Sequence, residues 1–388
     1  MKLTSYQPLL ISGGAAPPAC ALHDALLAAA DEALHIPPLS VVHKAIVPPS
    51  GDKHDWMNLA DYTWPNPDTN DGLPYVNRDG EANPEARRYD RPRFNRLVLS
   101  ALRLTAAWRV TGRESFARKA AELLETWFVD PATAMTPHLR YAHHVPGSVD
   151  GRKDGLIVFC SALPSLLDSW LALRGGRFID DDRHAAMRDW GGRFLEWLET
   201  DPMSLEHAEA ANNHGTFHEV LVCYLMLFVG RLDAAGDMLA ASLDRRLAEQ
   251  VGPDGQQPHE THRTLSAQYS LYNLKALMSL ARLGERVGVD GWRAGSSAPP
   301  IREAARYLYR HASGETTWPH PQIAPPTWWF LVPLCRAVNR AYGDTFDLAR
   351  VDLSAPAPVP PEPVVFTEGW ELAFAPSHRQ HLPAGVSE

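Results

Sequence analysis

Cysteine is scarce in this chain. Four occur in 388 residues: Cys20, Cys160, Cys223 and Cys335. None stands in a CxxC pair, which argues against both a disulfide framework and a zinc knuckle. Three lie in apolar helical stretches and read as small buried hydrophobes. Positive charge is short as well, with a formal net charge of −9, and no nucleic-acid partner is expected. An acidic ligand stays open, because a local cluster of Arg, Lys and His can set the sign of a cleft. No apolar run reads as long enough to span a bilayer, so no membrane partner is expected. The start, MKLTSYQPLLISGG, has one lysine and lacks the apolar stretch of a signal peptide. As written this reads as cytoplasmic; a different native start would leave a periplasmic or secreted protein open. Period-2 alternation is missing too, so no strands of any length are expected.

What remains is helix. Hydrophobic residues make up 45% of the chain, enough for a large core. ACALHDALLAAADEAL is helical. Leu97, Ala101, Leu104 and Trp108 form one stripe, and Phe116, Ala120, Leu123 and Trp127 the next. Further helices read over 155–173, 183–199, 212–230, 232–250, 264–287, 299–312 and 327–342, punctuated by Gly and Pro. Hairpins recur at roughly 50–60 residues, which predicts an all-α fold. The expected form is an α/α toroid, an incomplete barrel of helical hairpins, as a single catalytic domain over 1–388. Residues 36–92 form a long irregular segment rich in Pro, Gly, Asn and Asp, expected over the cleft. Its Trp56, Tyr62, Trp64 and Tyr75 argue against disorder. A Pro-rich tail over 352–388 is expected to run along the surface.

Four stretches could carry chemistry. In AEAANNHGTFHEV, residues 208–220, Asn212, Asn213 and His214 stand at the mouth of an apolar helix. Capping explains one asparagine easily and two poorly. His214 and His218 share a face at i, i+4 and could hold a metal with His207 or His259. The HExxH pattern is absent, and no metal or other cofactor is expected. PDGQQPHETHRTLSAQYSLYNL, residues 253–274, carries Glu260, Arg263, Tyr269 and Tyr272. Arg263 and Tyr269 lie about 240° apart on a regular helix, so only a turn between them would aim both at one pocket. The bland alternative is a surface Arg and a core Tyr. LRYAHHVPGSVDGRKDG holds His143 and His144 in a loop. GDKHDWMNLADYTWP holds Lys53, His54 and Asp55 beside tryptophans, which suits a sugar ring or an ordinary loop anchor.

Taken in order, SGDKHDWMNLADYTWPNP…DGLPYVNRDGEANPE, YAHHVPG, ANNHGTF and QPHETHRTLSAQYSLYNL resemble the alginate lyase superfamily of polysaccharide lyases, over about residues 50–280. The resemblance implies an α/α toroid and metal-independent β-elimination on 1,4-linked uronate polymers. It assigns the family's Asn-His pair to Asn213 and His214, and its catalytic Arg and Tyr to Arg263 and Tyr269. The separation of six resembles the broad-specificity branch acting on alginate and glucuronan. The mannuronate-specific branch carries NNHSYW, which this chain lacks. Relatives usually carry Gln or another polar residue at His143.

A uronate C5–H beside a carboxylate is barely acidic. Neutralising that carboxylate suits Arg263, Asn213 and His214. In mannuronate, H5 and O4 share one ring side, so Tyr269 can serve as base and then acid. Arg263 and a protonated histidine are expected to lower its pKa from about 10. In guluronate the two lie on opposite faces, and His214 could be the base with Tyr269 as acid. Lys53, His54, Trp64, Tyr75, His143, Asn212 and Glu260 are expected to bind substrate, an acidic polysaccharide or oligosaccharide. Two rivals stand beside this reading. A toroidal glycoside hydrolase needs two carboxylates across the bond; Asp150, Asp154, Glu219 and Glu260 are available, with no pairing legible. A non-catalytic sugar-binding protein is the other.

Overall fold

The expected helices form, and local chemistry sets their ends. The computed structural model describes residues 19–293, 298–343 and 345–353. In chain order they are α1 (Ala19–Leu34), α2 (Arg91–Thr111), α3 (Glu114–Phe128), α4 (Ile157–Gly175), α5 (Asp181–Thr200), α6 (Pro202–Ala208), α7 (Asn213–Val229), α8 (Leu232–Gln250), α9 (Pro258–Thr261), α10 (Ser266–Val287), α11 (Pro300–Ala312) and α12 (Leu331–Tyr342). Helix α5 begins where the Asp180 side chain accepts the Arg183 N–H, and α6 where Asp201 accepts from Met203 with Pro202 in the first turn. The two short helices α6 and α9 lack the length for a periodic pattern and went unread in the sequence.

The helices make two layers. Helices α2, α4, α7 and α10 pack each on the next, with α12 against α10. Helices α1, α3, α5, α8 and α11 back this row from outside. This is the α/α toroid of helical hairpins. The inner row explains α7: every residue but His214 and Val229 is buried, so it can be apolar all round. One buried cluster runs from Ala30 to Val351. Cys160, Cys223 and Cys335 are buried free thiols within it. The stretch Lys153–Gly175 does reach bilayer-spanning length and hydropathy, contrary to expectation. It is a core helix by burial, with α4 packed between α2 and α7.

The segment 36–92 is less irregular than its composition implied. Short strands β1 (Met57–Leu59), β2 (Thr63–Trp64), β3 (Val76–Asn77) and β4 (Tyr141–His144) form, with β1 parallel to β4 and β2 antiparallel to β3. Strands of two to four residues are too short to show alternation, which is why the sequence hid them. Trp56 roots the segment: it is fully buried against Phe94 and Phe159. A buried ion pair, Lys44 Nζ to Asp90 Oδ2 at 2.6 Å, ties it to the start of α2. Asp90 also accepts the Met57 N–H at 2.9 Å. Most of the Pro-rich tail, residues 354–388, lies outside the described residues.

Candidate active site

The mouth of α7 is held by a buried polar clamp. Arg246, fully buried on α8, donates to the Ala208 and Ala210 carbonyls (2.9 and 2.7 Å) and to Glu219. Gln250 donates to the Ala211 and Asn212 carbonyls. The turn before α7 therefore has its carbonyls satisfied without water. Gly215 makes this possible: a β-carbon there would sit 2.1 Å from the Ala210 oxygen and 2.4 Å from Arg246. Asn212 is the cap, its side chain accepting the His214 N–H. Capping therefore does not take up the Asn213 or His214 side chains.

Both line a cavity of about 820 Å³. Strand β4 and the turn after it supply His143, Arg152, Lys153 and Asp154 to its wall. A β-carbon at Gly151 would meet the Ala142 oxygen at 1.9 Å, so only glycine lets that turn fold onto β4. His143 sits at φ 46°, its N–H fixed by Asn58 Oδ1 at 3.0 Å. Burial pushes its imidazole pKa down to about 3, and Arg91 adds to this. The irregular segment contributes Tyr62, Asp79 and Arg91.

Arg263 and Tyr269 do meet. The short helix α9 ends at Thr261 and α10 begins at Ser266, so Arg263 stands in the turn between them. Its guanidinium carbon lies 3.9 Å from the Tyr269 ring centroid. Asp79 anchors the guanidinium at 2.8 Å, and Arg91 pairs with Asp61. Five Lys and Arg side chains, Arg91, Arg152, Lys153, Arg263 and Lys275, line the cavity together with three carboxylates, Asp61, Asp79 and Asp154.

The protonation states differ from expectation. Burial raises the Tyr269 pKa, and the lowering by Arg263 and by the Tyr62 hydroxyl does not overcome it. Burial pushes His214 down to about 4, against the raising effect of Asp154. At neutral pH the site therefore rests with a phenol and a neutral imidazole. The protonated histidine invoked from the sequence is disfavoured, because burial of the His214 ring penalises its charged form.

The other candidates separate. Asn212 and His143 line the cavity; Lys53, His54, Trp64, Tyr75 and Glu260 are not among its lining residues. Lys53 is exposed. His54 Nδ1 bonds the Ala134 carbonyl at 2.6 Å. The Trp64 indole donates to Glu81 O and stacks under Arg78, and the Tyr75 hydroxyl donates to Glu85. Glu260 is fully buried directly behind Asn213. It accepts from the Asn213 N–H at 2.7 Å and from Nδ2 at 2.9 and 2.8 Å. Burial raises its pKa to about 7, opposed by the Asn213 hydrogen bonds and by Arg263.

Sequence reasoning missed Tyr62 as a site residue. Its hydroxyl lies 3.0 Å from that of Tyr269, 207 positions away. Nothing local marks it, since the contact depends on how the segment 36–92 folds back. The metal reading also changes partners. His218 bonds Ser204 Oγ at 2.9 Å, and the imidazole nearest His214 is that of His207, with ring centroids 5.1 Å apart.

A family model described as alginate lyase matches residues 40–318. An alginate lyase from Bacteroides ovatus is 31% identical, with a TM-score of 0.77 over 82% of this chain and 85% of that one. Alginate lyase A1-III from Sphingomonas species A1 is 13% identical, with a TM-score of 0.56 over 89% of this chain and 92% of that one. A histidine-to-alanine variant of alginate lyase A1-III complexed with a tetrasaccharide gives 13% and 0.57, over 89% and 91%. At 13% identity the likeness is one of fold. No curated protein matches the chain.

Proposed function

The chain belongs to the alginate lyase family and is a polysaccharide lyase, and we propose that it cleaves 1,4-linked uronate polymers, β-linked polymannuronate or glucuronan first, through Asn213, His214, Arg263 and Tyr269. The observation that carries this is the pairing of Arg263 with Tyr269 at 3.9 Å in a cavity that Asn213 and His214 also line. Elimination needs a group to hold the carboxylate and another to move a proton beside it, and this pairing supplies both.

Arg263 brings fixed charge, and Asp79 orients it. Asn213 brings an aimed donor. The two oxygens of Glu260, at 2.8 and 2.9 Å from one amide nitrogen, subtend far less than the roughly 120° between its N–H bonds. One N–H is therefore shared between both oxygens, and the other is left for the substrate carboxylate. Glu260 acts through Asn213 as a positioning residue. As negative charge builds on the carboxylate in the transition state, these donors stabilise it more than the ground state.

On mannuronate or glucuronate, where H5 and O4 share a ring side, Tyr269 takes H5 as phenolate and returns the proton to O4. Tyr62, hydrogen-bonded at 3.0 Å, stabilises that phenolate. One observation favours a second reading: the resting phenol and neutral imidazole already suit guluronate, with His214 as base and Tyr269 as acid. The test is ultraviolet absorbance of the 4,5-unsaturated product on separate polymannuronate, polyguluronate and glucuronan. A rise on any one supports uronate elimination and names the substrate. Cleavage of these polymers without a rise indicates a hydrolase and refutes the proposal.

A further inference from the structure

One buried group has no part in the chemistry above. His207, at the end of α6, is fully buried, yet neither ring nitrogen has a hydrogen-bond partner. Leaving such a polar side chain unpaired costs free energy. Its neighbour His214 has an unpartnered Nδ1. Asp154, exposed on the turn after β4, completes a group whose three donor atoms all lie within 4.8 Å of one another.

We propose that His207, His214 and Asp154 form a zinc-binding site in the wall of the cleft, and that zinc bound there inhibits the enzyme. Two imidazoles and a carboxylate suit zinc and its borderline neighbours; calcium and magnesium prefer all-oxygen shells. Zinc holds such donors at roughly 2.0–2.2 Å, so the group must tighten on binding. Asp154 is exposed in the first turn of a 3-10 helix, Lys153–Leu156, so the tightening falls to its side chain, while both histidines are set by the ends of α6 and α7. With three protein donors, the fourth position of a tetrahedral ion remains for water. Metal takes each imidazole through a nitrogen that carries no proton, and the unpartnered nitrogens of His207 and His214 are available for that. Occupation withdraws His214 from the uronate, so zinc and polymer compete.

The inhibitory part rests on the function proposed for His214; the binding part does not. The experiment therefore reads binding first, on the full chain without substrate. Zinc is titrated calorimetrically, and cobalt is followed by its visible absorption bands. One ion per chain is expected, with affinity falling roughly tenfold or more in His207→Gln and in Asp154→Asn. Asp154→Asn lies at the surface and guards against a His207 variant that fails to fold. The second reading is lyase rate against zinc concentration, each protein scaled to its own zinc-free rate. Wild type should lose activity, with the loss relieved by added polymer, and Asp154→Asn should resist. No binding, or binding unchanged in both variants, overturns the site. Zinc that binds without slowing wild type overturns the inhibition. A protein that binds zinc but releases no unsaturated product from any uronate polymer keeps the site and sinks the proposed function instead.

Discussion

Two buried carboxylates brace the same turn and are treated oppositely. Glu219 meets Arg246 at 2.9 Å and also pairs with Arg245. Its charge is fully answered, and the assembly closes off the carbonyls of residues 208 and 210. Glu260 meets an amide and a backbone N–H, and Arg263 reaches it only through space. Its charge is under-compensated, so its pKa rises to about 7. The first arrangement is scaffold. The second keeps a titratable group behind the residue that is to hold the substrate. Matching burial with different partners separates support from function.

Breaking the scaffold should have the largest effect. Arg246→Met leaves buried carbonyls unpaired and Glu219 half-answered, and should cost about 3 kcal/mol of stability. Denaturant unfolding would measure it; a midpoint equal to wild type would mean that the clamp is dispensable. Next comes Glu260→Gln, which loses the two-oxygen acceptor aiming the Asn213 amide. We expect kcat/KM to fall roughly tenfold or more at pH 8. Wild-type activity should rise with pH through about 7 as Glu260 ionises, and the variant should lack that limb. An unchanged profile would detach Glu260 from the chemistry. Stability runs the other way. Folding raises this acid's pKa from 4.5 to about 7, so the fold loses stability as pH climbs across that window. The variant's unfolding midpoint should lack that decline. Smaller still is Tyr62→Phe. Losing one neutral hydrogen bond to Tyr269 should lower kcat about fivefold, with KM little changed. Smallest is Lys53→Ala, on the surface outside the cavity: steady-state rates within about twofold of wild type are expected, and a large rise in KM would return it to the binding site.

Much of this was legible from residues alone, for reasons that also mark the limit. Periodic apolar spacing revealed the long helices, because a face of Leu, Ala and Trp must be buried somewhere. Asn212, Asn213 and His214 stood out because polar side chains at the start of an apolar helix need a reason. Arg263 and Tyr269 stood out in a polar cluster and took their roles from the resemblance, and the geometry that joins them depends on the break before α10, which spacing could only allow. Tyr62, Asp79 and Arg91 were illegible as site residues, since each reaches the cavity through long-range folding. Glu260 was seen as a polar residue near the site, but its depth behind Asn213 was not. Trp64 and Tyr75 looked like sugar platforms; neither is among the cavity's lining residues, and each hydrogen-bonds within its own loop. Protonation states failed for a single cause: desolvation outweighs the neighbouring charges, and a sequence does not display burial depth.

The central claim is that Tyr269 moves the proton. Tyr269→Phe keeps the ring beneath Arg263 and removes only the hydroxyl. Its rate of unsaturated-product release and its calorimetric affinity for a uronate oligosaccharide should be measured together. Turnover should fall by roughly 1,000-fold or more while affinity stays close to wild type. A Tyr269→Phe protein that turns over at the wild-type rate would contradict it.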